Sequence, residues 1–206
     1  MSRHNWLILT ALAMEAKAIT AELGEAMASQ QVSLHVIGIR AKKLSRDLLA
    51  GSSGIILAGL AGALDPALAV GDVIVDSASP PLPLCHFPRG KFYATDHLAA
   101  TPAEKQRLFR ETGCAAVDME SDIVRALTES MGLPMLHLRA ISDAADQTLP
   151  PRMMDWIDNI GRLRAPKLLA DLALHPHQIP AMIRLGKNSR LALRRLTQAV
   201  GVILQQ

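Results

Sequence analysis

The chain has 206 residues, half of them apolar, and a net charge of +3. That length predicts one domain with a sizeable core. The small charge excludes an argument for nucleic acid as a partner, and no apolar stretch reaches the roughly eighteen residues of a membrane span.

Arg3 and His4 ahead of Trp6–Met14 mimic a short signal peptide, but Trp6–Leu12 reads instead as a first strand buried on both faces. Helical spacing follows over Met14–Leu23, with Gly24 as the stop. Val32–Ile39 alternates like a strand, and Lys42–Leu49 reads as a helix. Ile55–Ala58 is a buried strand that feeds a glycine-rich turn at Gly59–Gly62, where backbone N–H groups can approach a ligand. Val73–Asp76 is a further strand. Ser79–Pro88 holds four prolines and reads as a loop over a substrate site. Phe92–Asp96 has strand character. Thr101-Pro102-Ala103-Glu104 opens a helix with a cap, an N-terminal proline and a first-turn acid, and the helix runs to Thr112 with Gly113 as its stop.

The stretch from Ala115 to Asp146 organises the rest. Ala115–Val117 and Met135–Ile141 read as strands, and Glu120–Met131 between them reads as a helix stopped by Gly132-Leu133-Pro134. Asp118 and Glu120 follow the first strand; Asp143 and Asp146 follow the second. Ligands of open α/β sheets bind outside the carboxyl ends of strands, so four acids at one such edge point to an active site. Taken singly, each acid also fits a helix cap.

Beyond Asp146, Met153–Arg164 reads as a helix. Pro166, Pro176 and Pro180 then punctuate short helical segments. Residues 161–206 carry eight Lys or Arg against Asp171 alone, a local +7 that leaves −4 of the net +3 to the rest. From Lys187 to Leu204, Ala192, Leu193, Leu196, Val200 and Ile203 share one helical face, while Lys187, Arg190, Arg194 and Gln198 share the other. Such a helix either docks with a solvated basic face or makes peripheral contact with an anionic membrane. Alternating strands and helices predict an α/β fold. Residues 1–164 are expected to form its α/β domain, with 165–206 as a basic helical extension packed on it. Cys85 and Cys114 lack metal-ligand or redox spacing, so no metal is expected and a reducing cytoplasm is the default.

Three motifs resemble the nucleoside phosphorylase and nucleosidase superfamily. They are Gly59-Leu60-Ala61-Gly62-Ala63-Leu64-Asp65-Pro66 with Val70-Gly71-Asp72-Val73-Ile74-Val75, then Val117-Asp118-Met119-Glu120-Ser121, then Arg139-Ala140-Ile141-Ser142-Asp143-Ala144-Ala145-Asp146. The Ala13-Met14-Glu15-Ala16-Lys17 start, the Asp118–Ser121 wording and the C-terminal tail look most like the hopanoid-associated phosphorylases. The resemblance implies a three-layer αβα fold, a twisted mixed sheet with helices on both faces, plus extra C-terminal helices.

It also implies cleavage of the N-glycosidic bond of a 5′-substituted adenosine, adenosylhopane in the closest family. Adenine and a ribosyl or phosphoribosyl hopane would be released. Asp143 looks like the general acid that protonates the leaving base, and Ser142 would orient it. Glu120 looks like the ribose clamp, with Met119 against the sugar; Arg139, Gly62 and Ala61 complete the substrate site. Hydrolytic relatives read M-E-E-E where this chain has Met14-Glu15-Ala16-Lys17, so Lys17 replaces the acid that works on water. That leaves two nucleophiles open: inorganic phosphate as a co-substrate held by Lys17, or water activated by Glu15. No cofactor is expected, the partner is a nucleoside-lipid substrate, and a homo-oligomer is implied. The setting is cytoplasmic, at the inner face of the membrane if the tail docks there. A small nucleosidase acting on methylthioadenosine or adenosylhomocysteine, and a nucleoside-binding module without turnover, are the alternatives.

Overall fold

The computed structural model describes residues 5–76, 78–79, 87–150, 152–158, 162 and 164–205. Among these, eight strands form one mixed sheet: β1 (Trp6–Thr10), β2 (Ser33–Val36), β3 (Gly54–Ala63), β4 (Val73–Asp76), β5 (Arg89–Gly90), β6 (Phe92–Ala94), β7 (Ala116–Asp118) and β8 (Met135–Asp143). The α-helices are α1 (Ala13–Ser29), α2 (Arg46–Leu49), α3 (Pro102–Thr112), α4 (Ser121–Ser130), α5 (Ala165–Leu174) and α6 (Ile179–Leu204). Strand order is β2-β1-β3-β8-β4-β5. β2, β1, β3 and β8 run parallel, β4 is antiparallel to β8, and β7 pairs antiparallel with the far end of β3.

Alternation along the two long central strands sorts side chains onto opposite faces. Ile56, Ala58, Leu136, Leu138 and Ala140 pack with Ile19 of α1 and Leu196 and Val200 of α6. Ile55, Leu57 and Met135 pack with Leu49 of α2 and Val124 of α4. Helices therefore cover both faces of a twisted mixed sheet, the expected three-layer αβα architecture. Gly186 and Gly201 each cost α6 about 1 kcal/mol. Burial of Leu196, Val200 and Leu204 outweighs that at about 1.5–3 kcal/mol each.

Where local signals are strong the elements fall as expected. Thr101 Oγ1 accepts from the Glu104 N–H at 3.2 Å, Pro102 opens α3, and Gly113 ends it at φ 64°. Elsewhere longer-range packing overrides them. α1 runs through Gly24 to Ser29, because Met27 continues its buried stripe. The Lys42–Leu49 helix shrinks to α2, preceded by a 3-10 turn at Ile39–Ala41. Gly59–Gly62 is not a turn; β3 continues straight through it. Met153–Trp156 is a 3-10 turn rather than the start of a helix to Arg164, and the Arg164 N–H returns to the Trp156 carbonyl. Pro166 and Pro180 open α5 and α6 instead of interrupting them. Residues 80–86 of the proline-rich stretch, and with them Cys85, lie outside the described residues, as do Arg3, His4, Ile160 and Leu163.

The strand–helix–strand unit forms as β7, α4 and β8, but its strands are not paired with each other; β7 runs back along β3, with Gly62 opposite Val117. The reversal still delivers Asp118 and Glu120 to the middle of β8.

Candidate active site

Along β8, one face carries Met135, His137, Arg139 and Ile141, so two buried polar residues interrupt an apolar face, and Asp143 ends the strand. Opposite them on β3 the register places Gly59 against Arg139 and Gly62 against Asp143, with a bulge between Ala61 and Gly62. These glycines make room. A Cβ on Gly59 would lie 2.1 Å from Arg139 Nη1, and one on Gly62 would lie 2.9 Å from Asp143 Oδ2. Bulges near such sites re-aim a side chain, and this one sets Asp143 beside Gly62.

Arg139 is fully buried. Its Nε and Nη2 donate to Asp118 Oδ2 at 2.9 and 2.6 Å, and Nη2 reaches Glu120 Oε2 at 3.3 Å. Burial opposes its charge, but Asp118, Glu120 and Glu15 outweigh that and raise its pKa, so it stays a cation. Burial alone would raise Asp118; the Arg139 and His137 charges beside it instead hold its carboxyl well below the usual range. Asp118 Oδ1 also accepts from the N–H and hydroxyl of Ser121, so its capping role and its pairing with Arg139 coexist. Glu120 caps nothing with its side chain. Its Oε1 accepts from the Arg40 N–H at 3.1 Å, and burial raises its pKa against the pull of Arg139.

Glu15, in the first turn of α1, is buried on the same cluster. Its carboxyl accepts from the Leu12 N–H at 2.9 Å and the Leu60 N–H at 2.8 Å. Burial pushes it up to about 7, with the Arg139 charge opposing. One guanidinium thus faces three carboxyls, and the two farther from a full pairing sit above their ordinary range. Arg139 Nη1 has no hydrogen-bond partner among the described residues. It and Glu15 Oε1 both border the space left by the missing Gly59 side chain.

Asp143 is anchored separately. Oδ1 accepts from Ser142 Oγ at 2.7 Å, and Oδ2 accepts from Lys105 Nζ at 2.6 Å. Asp143, Gly62, Val117, Asp118 and Met119 line an open cleft together with His97, Leu98 and Leu149. Ala61 is buried, and its carbonyl lies 3.3 Å from Ser142 Oγ.

Two residues from the candidate set fall elsewhere. Lys17 is exposed; two helical steps turn it about 200° from Glu15. Asp146 is exposed on the loop after β8. Three residues that sequence reasoning passed over belong here. Lys105 occupies the apolar stripe of α3 with Leu108 and Phe109, and a lysine in that stripe was the available signal. His137 is buried between Asp76 and Asp118, its ring nitrogens 3.3 and 3.1 Å from their carboxylates. Arg40 holds a left-handed conformation, φ 55°, beside Glu120; no sequence signal marks a non-glycine residue there.

Residues 85–173 match the Phosphorylase superfamily. No curated protein sequence matches the chain. Among solved structures, the 5′-methylthioadenosine/S-adenosyl homocysteine nucleosidase of Helicobacter pylori aligns over 100% of this chain and 99% of its own, with a TM-score of 0.68 at 15% identity. Futalosine hydrolase of Helicobacter pylori strain 26695 covers the same shares, with a TM-score of 0.65 at 14% identity. The 5′-methylthioadenosine/S-adenosylhomocysteine nucleosidase of S. pneumoniae covers 97% and 98%, with a TM-score of 0.65 at 18% identity. At these identities the likeness establishes the fold: a nucleoside phosphorylase-like sandwich with its C-terminal helix.

Proposed function

We propose that the chain hydrolyses the N-glycosidic bond of a 5′-substituted adenosine and releases adenine. The observation that carries this reading is Glu15, a buried carboxyl pushed up to about 7, beside an Arg139 Nη1 that has no hydrogen-bond partner among the described residues. A general base works best with a pKa near the operating pH, and a water held by Glu15 and Arg139 Nη1 is the nucleophile. Glu120 holds the ribose hydroxyls and places negative charge near the cationic sugar of the transition state. Asp143, on the cleft, protonates the leaving purine. The exposed position of Lys17 favours water over phosphate as the nucleophile.

The 5′ substituent in this proposal is a hopanoid, as the sequence resemblance implies, giving a ribosylhopane. The experiment is release of free adenine from detergent-dispersed adenosylhopane and from methylthioadenosine. Turnover of the first is expected; turnover of methylthioadenosine alone would replace the lipid reading with a small-substrate nucleosidase, which the solved nucleosidases of like fold make the second reading.

A lipid substrate also calls for a route to the membrane. Among the described residues no helix is long and apolar enough to cross one. Ile179, Ile183, Lys187, Arg190 and Arg194 are all exposed and fall on one stripe of α6, apolar at its start and basic after it. Leu169 and Leu174 of α5 are 66% and 76% exposed nearby in sequence. We read this as a peripheral contact with an anionic bilayer. The wild type is expected to float with phosphatidylglycerol vesicles and not with phosphatidylcholine alone. Lys187→Glu/Arg190→Glu is expected to lose that flotation; equal flotation of the two proteins would refute the contact. Truncating the tail is no substitute, because Leu196 and Val200 belong to the main core.

A further inference from the structure

Lys105 is a fully buried lysine on a helix that otherwise carries its charges outward. Nζ donates to Asp143 Oδ2 at 2.6 Å, to the Ala144 carbonyl at 2.8 Å and to the Gln147 carbonyl at 3.2 Å. Those three bonds use all three ammonium hydrogens. They tie α3 to the end of β8 and to the loop beyond it. Asp143 is itself nearly buried, with Ser142 Oγ on its other oxygen. The remaining titratable groups on the same cleft are Asp118 of β7 and His97 of the β6–α3 connection.

This arrangement bears on the chemistry. A carboxylate paired with an ammonium has no proton of its own to give, yet the departing purine needs one. We propose that Lys105 is a positioning residue that fixes Asp143 at the cleft and supplies the proton Asp143 delivers to the leaving base. The inference rests on the nucleosidase reading above. A proton passes from Lys105 Nζ to Asp143, giving a neutral amine and a neutral carboxylic acid. For two side chains this buried, that neutral pair is disfavoured less than in solution, since two poorly solvated charges disappear. As the C1′–N9 bond breaks, its electron pair passes to the purine, and Asp143 gives its proton to N7. The pair is left as neutral amine and carboxylate, one proton short, and solvent restores that proton after adenine leaves. A structural lysine would only hold α3 against the loop, and its loss would affect every substrate alike.

The test separates the two by leaving group. Adenine release is measured on whichever nucleoside the wild type turns over, and nitrophenol release on the matching 4-nitrophenyl riboside, whose leaving group departs without a proton. Lys105→Met is expected to lower kcat for adenine by about 100-fold or more, and nitrophenol release by only a few-fold. In an Asp143→Asn background the same substitution is expected to add nothing, because its effect runs through Asp143. If Lys105→Met does not fold, Lys105→Arg carries the test. It keeps a buried cation, but a guanidinium does not give up its proton, so the same selective loss of adenine release is expected. Equal losses on both leaving groups, or a wild-type adenine rate in Lys105→Arg, would overturn the proposal while leaving the nucleosidase reading intact. A wild type that releases neither product sinks that reading, and the proposal with it.

Discussion

Asp143→Asn is expected to lower kcat for adenine release by about 10²–10⁴-fold, the usual contribution of a positioned general acid, with KM little changed. Asn is nearly isosteric, and its carbonyl can still accept from Lys105 Nζ, which keeps its bonds to the Ala144 and Gln147 carbonyls. The fold is therefore expected to persist, and the loss falls on chemistry. A substrate whose leaving group needs no proton should recover most of the rate. Steady-state kinetics with thermal melts as the folding control decide it. A variant that melts like the wild type and releases adenine at the wild-type rate would remove Asp143 from the mechanism.

The second large effect belongs to Glu15, and it has two signs. As the base, Glu15→Gln is expected to lose about 10²–10⁴-fold in kcat. In stability the same carboxyl is a liability at alkaline pH. Its folded value is about 7 against an ordinary 4.5. Below pH 4.5 it is protonated in both states and costs nothing. Between 4.5 and about 7 the unfolded chain has released its proton while the folded protein retains one, so stability falls as pH rises. Above about pH 7 the loss is complete, on the order of 3 kcal/mol. Gln cannot ionise, so that part of the decline between pH 5 and pH 8 is expected to vanish in Glu15→Gln. What remains belongs to Glu120, which burial also raises, and to His97, which its hydrogen bonds to Asp96 and Glu104 raise. Urea denaturation at the two pH values measures the slope. The slope is the cleaner quantity, because a Gln side chain offers one acceptor where the Leu12 and Leu60 N–H groups need two. An unchanged slope would show that Glu15 is ionised throughout.

The parts of this molecule that its sequence discloses are those governed by neighbours along the chain. α3 was legible to the residue because a cap, a proline and a glycine each act within one turn. β4 matched for a similar reason, a short apolar run between turn residues. Of the motif residues, Glu120 meets Arg139 because β7 runs back along β3 beside β8, while Ser142 and Asp143 form a separate pair at the end of β8. The misread elements depend on distant partners. Gly59 looked like a turn glycine because the buried guanidinium that needs its missing side chain lies eighty residues away. The antiparallel pairing of β7 with β3 was not legible either, since a strand's direction is set by its partner and not by its own residues. Lys105 showed only as a lysine in an apolar stripe, and its role was not legible because its partner, Asp143, is remote in sequence. Motif position left Glu15 and Lys17 as alternatives, and helix geometry is what separates them. Glu15 falls on the side of α1 that meets the sheet, and Lys17 on the side that meets solvent.

In the proposed reaction a buried carboxyl on α1 directs water, and not phosphate, at a 5′-substituted adenosine. The deciding measurement is free adenine released by the wild-type protein, in phosphate-free buffer and again with added phosphate. Release is expected in phosphate-free buffer, at a rate that phosphate does not raise. Release that requires phosphate would make the protein a phosphorylase and contradict the role given to Glu15.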